Sequence, residues 1–226
     1  MKITRRYSDD EVFFVIAELA PAYHAAAKAL AYTEVNGEWV DLYPRNTPHL
    51  DRIFQTFERA IEPMLRQTAG LVAVPWQAAL HDLVRLLDGE GIDWWLGGSA
   101  ALAVRGLDVM PRDLDLIVDA AGAIRLGELL LPALVQPVQA TSDWFCGWFG
   151  RAFMHVRIEW VGDVNERADQ PQVSDFGPTA AHQLEVVAWN GHLIRVPPLH
   201  LQLAVSRARG LADRVQKIEA VLIKVD

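Results

Sequence analysis

The chain of 226 residues contains one cysteine, Cys146. A single thiol can form neither an internal disulfide nor a cysteine metal cluster, so we expect a reducing compartment, the cytoplasm. No apolar run approaches the length of a membrane span, and the amino terminus lacks the features of a signal peptide, so no membrane association is predicted. The formal net charge of −8 argues against a broad nucleic-acid-binding face, which would be basic.

Apolar residues are plentiful, since they make up 51% of the chain and are ample for a packed core. We interpret residues 1–72 as a helical N-terminal segment. Ser8 and Glu11 have the spacing of a capping box at the start of a helix, and Thr47 with Pro48 resembles the start of a second helix with an apolar face. The stretch "AGLVAVP" would join this segment to the rest of the chain.

Residues 73–226 have a different pattern, in which short apolar strands alternate with amphipathic helices. We interpret "IDWWLGG", "DLDLIVD" and "FMHVRIEWVGDV" as strands, and "LEVVAWNGHLIRV" as a hairpin that turns at Asn190 and Gly191. This alternation predicts an α/β (α+β) fold class, with a mixed sheet flanked by helices and an N-terminal helical appendage.

Asp113 and Asp115 interrupt the apolar strand "RDLDLIVD". Aspartate is disfavoured in strands, and residues two apart point to the same face, so two like charges stand side by side. A hard divalent cation, Mg²⁺ or alternatively Mn²⁺, would stabilise the pair and could also bind phosphate oxygens. The other interpretation is a pair that Arg105 and Arg112, or simply solvent, neutralise.

Gly97, Gly98 and Ser99 lie at the junction of a predicted strand and a short helix. Glycines allow a sharp turn and close approach of a ligand to the backbone. Free N–H groups at the start of a helix also attract anions. The stretch is therefore either a plain tight turn or a phosphate-binding turn.

A third acidic residue, Glu159, lies in the middle of the apolar strand "HVRIEWVGDV". The alternation of a strand places Arg157 and Glu159 on one face and their apolar neighbours on the other. A charge in this position needs a partner. Glu159 is a candidate third metal ligand or general base, and the alternative is an ion pair with an arginine from a neighbouring strand.

The stretch "LGGSAALAVRGLDVMPRDLDLIVD" resembles the signature of the nucleotidyltransferase superfamily, the polymerase-β-like fold, and in particular its small prokaryotic members. Further on, "VRIEWVGDV" resembles the strand that supplies their third acidic residue, and "VPPLHLQLAVSRARGLADRVQKI" resembles their closing helical segment. The resemblance covers roughly residues 76–224. Many relatives have a Gly-Arg pair or a lysine in the last segment, whereas here Leu211 follows Gly210 and basic residues stand at Arg207, Arg209, Arg214 and Lys217.

The resemblance implies transfer of a nucleoside monophosphate from an NTP to an acceptor hydroxyl, with release of pyrophosphate. It implies catalytic and Mg²⁺-binding roles for Asp113, Asp115 and Glu159. It also implies contacts to the nucleotide phosphates from Gly97, Gly98 and Ser99, with Arg112 and Arg105 as further phosphate-binding candidates.

Acceptors in this superfamily include small molecules, RNA ends and protein side chains, and the acidic composition favours a cationic small molecule or a protein partner over RNA. The aromatic segment "DWFCGWFG" (143–150) is interpreted as a loop that either packs in the core or covers a base or an acceptor. The alternative function is a non-catalytic relative that binds a nucleotide or a partner, for example one component of a toxin–antitoxin pair.

Overall fold

The computed structural model of the protein describes residues 1–223. Its first sheet has four antiparallel strands in the order β1-β2-β4-β3. They are β1 (Lys2–Tyr7), β2 (Glu11–Ala17), β3 (Thr33–Val35) and β4 (Glu38–Pro44). The short helix α1 (His24–Ala29) precedes β3, and the long helix α2 (Leu50–Thr68) follows β4. We call residues 2–68 the N-terminal unit.

The predicted helix at Ser8 is wrong, and the N-terminal appendage is a sheet with helices. Ser8 and Glu11 do contact each other, because the Glu11 N–H donates to Ser8 Oγ at 3.1 Å and the Ser8 N–H donates to the Glu11 carbonyl at 2.9 Å. These bonds close a tight hairpin loop between β1 and β2. The β-branched and aromatic residues of "EVFFVIA" favour a strand, and Phe14 packs on Tyr43 and Phe54 with ring centroids 4.9 Å apart in both pairs.

The second sheet has five strands in the order β5-β6-β9-β8-β7. They are β5 (Trp94–Leu96), β6 (Asp113–Val118), β7 (Leu134–Ala140), β8 (Cys146–Met154) and β9 (Val156–Val164). Strands β6 and β9 are parallel and the other neighbours are antiparallel, so the sheet is mixed. The predicted hairpin exists as β10 (Glu185–Trp189) and β11 (His192–Val196).

Six further α-helices accompany this sheet in the described part of the chain. They are α3 (Trp76–Leu87), α4 (Gly98–Val104), α5 (Ala120–Leu129), α6 (Pro178–Ala181), α7 (Leu199–Ala208) and α8 (Ala212–Leu222). The predicted mixed α/β class is confirmed. No helix within residues 1–223 combines the length and the apolar character needed to cross a membrane.

Two details of the second sheet differ from the prediction. The aromatic segment 143–150 is only partly a loop, because β8 begins at Cys146. The predicted single strand "FMHVRIEWVGDV" is split at His155, whose φ of 65° reverses the chain between β8 and β9. This reversal places β8 beside β9, so that Arg151 lies directly opposite Glu159.

The N-terminal unit packs on the second sheet mainly through α2, which contacts β7 and β9. One apolar core includes Phe14 and Phe57 from the N-terminal unit together with Leu114 and Trp160 from the second sheet. The helix α2 itself begins at Leu50, after the predicted cap. The division of the chain into residues 1–72 and 73–226 stays a prediction.

Candidate active site

The three predicted acidic residues meet on the adjacent strands β6 and β9. In their parallel register, Asp115 lies beside Glu159 and Asp113 lies beside Arg157. Buried and half-buried residues alternate along β9, as predicted for Arg157 and Glu159. One carboxylate oxygen from each of the three acids lies within 4.8 Å of the others. Such a set of oxygen ligands is suited to a hard divalent cation.

The glycine turn lies directly against this cluster. Gly97 is the N-cap of α4, and its N–H donates to the Asp115 carbonyl at 2.8 Å. Gly98 has a φ of +58°, and a Cβ atom there would lie 2.2 Å from Asp115 Oδ2. Glycine is therefore required at position 98 both by the backbone conformation and by the closeness of the carboxylate. Ser99 is half-buried in the first turn of α4.

Two arginines neutralise part of the acidic charge. Arg151 Nε donates to Glu159 Oε1 at 2.6 Å across the β8–β9 pair, which is the cross-strand ion pair considered as an alternative for Glu159. Arg157 forms an ion pair with Asp113, and its Nε lies 3.5 Å from Glu159 Oε1. Three carboxylates thus face two guanidinium groups, and one negative charge is left over.

Arg105 and Arg112, the phosphate-binding candidates from the sequence, lie away from the three acids. Arg105 donates to Glu185 Oε2 at 2.6 Å and to the Pro197 carbonyl at 2.9 Å. Arg112 is exposed and does not line the cavity beside the acids. The structure therefore does not bring either side chain to the acidic cluster, although both are close to it in sequence.

Asp115 has the most perturbed ionisation of the three acids. Burial raises the pKa of Asp115 to about 8, and the negative charges of Asp113 and Glu159 act in the same direction, while Arg157 opposes them. At neutral pH this carboxyl holds a proton unless another cation balances its charge. In the cation-free protein, this proton balances the excess of three acids over two guanidinium groups.

Asp115 and Glu159 line a cavity of about 280 Å³ that has an aromatic wall. Five aromatic residues form this wall: Trp144, Phe145, Phe149, Trp160 and Phe176. The ring centroids of Trp144 and Phe145 are 4.3 Å apart, and those of Phe145 and Phe176 are 5.1 Å apart. Part of the predicted aromatic segment 143–150 thus faces the same cavity as Asp115 and Glu159.

Helices α7 and α8 bring two arginines to the cavity. Arg209 and Arg214 line it, and neither side chain forms an ion pair or a hydrogen bond with another residue of the described range 1–223. Burial lowers the pKa of Arg214, and the charge of Arg209 lowers it further. The other basic residues of this segment have partners, because Arg207 pairs with Glu219 at 2.6 Å and Lys217 pairs with Asp213 at 2.8 Å.

Two polar residues that the sequence analysis did not select also line the cavity. Asp175 is 9% exposed, and burial raises its pKa. Gln202 is 2% exposed and its Nε2 donates to the Gly98 carbonyl at 3.0 Å, which ties α7 to the glycine turn. A polar residue on the buried side of a helix is a signal that could have identified Gln202, whereas Asp175 stands in a segment without a local pattern.

The sequence matches no protein-family model and no curated protein. The structure is similar to the crystal structure of a proposed nucleotidyltransferase from Thermotoga maritima, with a TM-score of 0.50 and 19% identity, over 68% of this chain and 96% of that one. The chain has a nucleotidyltransferase fold. In this nucleotidyltransferase fold, Asp113, Asp115 and Glu159 occupy adjacent strands of the mixed sheet.

Two structures of the antibiotic-resistance factor ANT(2'')-Ia are also similar to the nucleotidyltransferase fold of this chain. The solution structure has a TM-score of 0.42 and 12% identity, over 65% of this chain and 82% of that one. The crystal structure, a complex with adenylyl-2''-tobramycin, has a TM-score of 0.39 and 15% identity, over 64% of this chain and 88% of that one.

Proposed function

We propose that the protein is a Mg²⁺-dependent nucleotidyltransferase, with Mn²⁺ as an alternative cation, that moves a nucleoside monophosphate from an NTP to an acceptor hydroxyl. The observation that carries this proposal is the convergence of Asp113, Asp115 and Glu159 against a glycine turn, within a nucleotidyltransferase fold. The acceptor would be a small molecule, a protein or an RNA.

The residues present fit a divalent cation. All three candidate ligands are carboxylates, the type of ligand that Mg²⁺ and Mn²⁺ prefer. Burial raises the pKa of Asp115, and the charges of Asp113 and Glu159 raise it further, so an added positive charge would favour its ionised form. Asp113, Asp115 and Glu159 would hold the cation, which when bound neutralises charge on the phosphate oxygens.

Arg157 would be the counter-ion of the cation-free protein. Its ion-pair contacts are with the acids Asp113 and Glu159, and its buried Nε has no hydrogen-bond partner among residues 1–223. Arg157 would give up its contact with Asp113 when the carboxylates bind a cation.

The nucleotide phosphates would lie at the glycine turn. Gly97 and Gly98 carry no side chain that would block the backbone, and Ser99 adds a hydroxyl at the start of α4. Arg209 and Arg214 would supply the positive charge that relatives obtain from a Gly-Arg pair or a lysine. Two guanidinium groups that line a cavity and have no partner among residues 1–223 are suited to phosphate oxygens.

In the proposed reaction, the acceptor oxygen forms a bond to the α-phosphorus. The bond between that phosphorus and the oxygen of the β-phosphate breaks, and pyrophosphate leaves. The hydroxyl proton goes to a carboxylate of the cavity, and we assign it to Asp175. Burial raises the pKa of Asp175, which makes it a stronger base, whereas Glu159 is engaged by two arginines.

A comparison of NTPs labelled on the α- or the γ-phosphate tests the reaction. The protein is incubated with each NTP and a cell extract, and the Asp113→Ala/Asp115→Ala variant is the control. We expect label from the α-phosphate, and none from the γ-phosphate, in an acceptor, and only with the unaltered protein. Absence of any transfer that depends on Asp113 and Asp115 would contradict catalysis.

The alternative is a non-catalytic relative that binds a nucleotide or a protein, such as one component of a toxin–antitoxin pair. The observation that favours it is the pairing of Arg151 and Arg157 with the acids, because these ion pairs would neutralise much of the cluster without a cation. Nucleotide binding without transfer of the α-phosphate label would support this alternative.

A further inference from the structure

Arg151 is an unusual residue of the candidate site because it is charged and almost fully buried, with 4% of its surface exposed. Arginine is rarely buried to this extent unless its charge and its donors are paired. It stands in β8, directly opposite Glu159 in β9. The contacts that fix the Arg151 side chain therefore also affect the position of the Glu159 side chain.

The Arg151 side chain is fixed at both ends of its guanidinium group. Its Nε donates to Glu159 Oε1 at 2.6 Å, and its Nη1 donates to the backbone carbonyl of Leu30 at 2.9 Å. The guanidinium carbon also lies 5.3 Å from the ring centroid of Phe149, which limits its movement. Since guanidinium is planar and rigid, two directed hydrogen bonds fix its orientation.

The second of these bonds comes from the N-terminal unit. Leu30 directly follows α1 and is 1% exposed, so its carbonyl is shielded from water. Asp41 of β4 adds a negative charge near Arg151. Burial raises the pKa of Asp41, whereas a hydrogen bond from Tyr43 and the charge of Arg151 lower it. The N-terminal unit thus places the Leu30 carbonyl and the Asp41 carboxyl group near Arg151.

Arg157 provides a contrast within the same cluster. Its ion-pair contacts, to Asp113 and Glu159, lie inside the acidic group, and its Nε has no hydrogen-bond partner in the described part of the chain. Arg151, in comparison, has an anchor outside the acids. A cation that binds the carboxylates can therefore replace Arg157, while Arg151 stays bound to Leu30.

We propose that Arg151 is a positioning residue for Glu159, and that the N-terminal unit is part of the active site because its Leu30 carbonyl holds Arg151. The inference rests on the proposed function. Arg151 holds one oxygen of Glu159, which leaves the other oxygen free to bind a cation together with Asp113 and Asp115. The N-terminal unit would thus have a role in holding Arg151, and no feature of the sequence indicates this role.

The test is the affinity for Mn²⁺ in the presence of a non-hydrolysable ATP analogue, measured by electron paramagnetic resonance on the full chain. We expect Arg151→Met to weaken Mn²⁺ binding about 10–100-fold, the usual effect of removing a group that orients a metal ligand. Arg151→Lys should recover part of the loss, because lysine keeps the charge but not the planar fork. Arg157→Met is the matched variant, and it should strengthen binding, since it removes a competing cation.

A double-mutant cycle with Glu159→Gln separates positioning from a general structural effect. If Arg151 acts through Glu159, Arg151→Met causes no further loss of Mn²⁺ affinity in the Glu159→Gln background. Circular dichroism and the melting temperature show that each variant is folded. An equal loss in both backgrounds, or unchanged or tighter binding by Arg151→Met, overturns the inference while leaving the proposed function intact. If the unaltered protein binds no Mn²⁺ with the analogue, the proposed function itself fails, and this inference with it.

Discussion

Substitution of Gly98 by alanine isolates the contact between the glycine turn and the acidic cluster. Gly98 has a φ of +58°, and a Cβ atom would lie 2.2 Å from Asp115 Oδ2. Gly106 has a φ of +86° and open space where its Cβ would lie, so Gly106→Ala is a matched control. Both substitutions impose the same kind of backbone strain, but only Gly98→Ala displaces Asp115.

The expected magnitudes follow from these distances. Alanine at a positive φ costs about 1 kcal/mol, which lowers the melting temperature of a chain of this size by about 2–4 °C in both variants. In Gly98→Ala, the Asp115 carboxylate must also move by about 1 Å to reach ordinary van der Waals separation, and a misplacement of about 1 Å in an active site can cost about 100-fold. We therefore expect Mg²⁺-dependent ATP binding to weaken at least about tenfold in Gly98→Ala alone.

Isothermal titration calorimetry of ATP binding in the presence of Mg²⁺ checks the expected affinities, and thermal melts check the expected melting temperatures. Gly106→Ala should bind like the unaltered protein in spite of its lower melting temperature. Unchanged nucleotide affinity of both Gly98→Ala and Gly106→Ala would refute the placement of Asp115 in the binding site. A loss of affinity in Gly106→Ala as large as in Gly98→Ala would refute the specific role of the glycine turn.

Further predictions concern the cavity walls and pH. Arg209→Met and Arg214→Met should each weaken ATP binding about tenfold, whereas Arg112→Ala should leave it unchanged. ATP is titrated into each variant, and equal effects of all three substitutions would contradict the assignment of Arg209 and Arg214 to the phosphates. ATP binding should change the tryptophan fluorescence, because Trp144 lines the cavity, and Trp144→Phe should remove this change. The same fluorescence change in Trp144→Phe would exclude Trp144 as its source. Asp115 keeps its proton up to about pH 8 in the folded protein, because burial raises its pKa, but loses it near its ordinary pKa of 3.8 when unfolded. Its contribution to the stability of the cation-free protein is therefore full below about pH 4 and is lost as the pH rises through 8. Urea unfolding from pH 4 to 9 should show this decrease, Asp115→Asn should diminish it, and identical profiles would contradict the shifted pKa.

The central part of the site could be predicted because its features are local or periodic. The glycine turn and the two aspartates lie within one short stretch, and strand alternation alone put Glu159 on the same face as Arg157. The parallel pairing of β6 and β9 then makes Asp115 a neighbour of Glu159. The resemblance to nucleotidyltransferases implied that Glu159 joins the two aspartates, but neither the resemblance nor the spacing in the sequence predicted which strands pair.

The sequence allows an arginine from a neighbouring strand as the partner of Glu159, but it does not identify which arginines contact the acids, because these contacts depend on long-range pairing. Arg105 and Arg112 are near the aspartates in sequence, yet the arginines in contact with the acids are Arg151 and Arg157, which the sheet brings in from β8 and β9. The anchor of Arg151 at Leu30 lies 121 positions away in the chain. A local sequence pattern cannot predict a contact between residues that are so far apart in the chain.

The error in the N-terminal unit has a local cause. Ser8 and Glu11, three residues apart, satisfy both a helix capping box and a tight hairpin, since each arrangement joins the same two residues by hydrogen bonds. The β-branched and aromatic residues that follow favour the strand. Packing of Phe14 on Tyr43 and Phe54 then stabilises the sheet. These residues are far apart in the sequence, so a local sequence pattern does not predict their contact.

The most direct test of the central claim is the titration of ATP, with and without Mg²⁺, into the unaltered protein and into Asp113→Ala/Asp115→Ala. The proposed site predicts that the unaltered protein binds the nucleotide tightly only with Mg²⁺, and that the double variant loses this binding while it stays folded. Unchanged affinity of the double variant in the presence of Mg²⁺ would contradict a cation site at Asp113, Asp115 and Glu159.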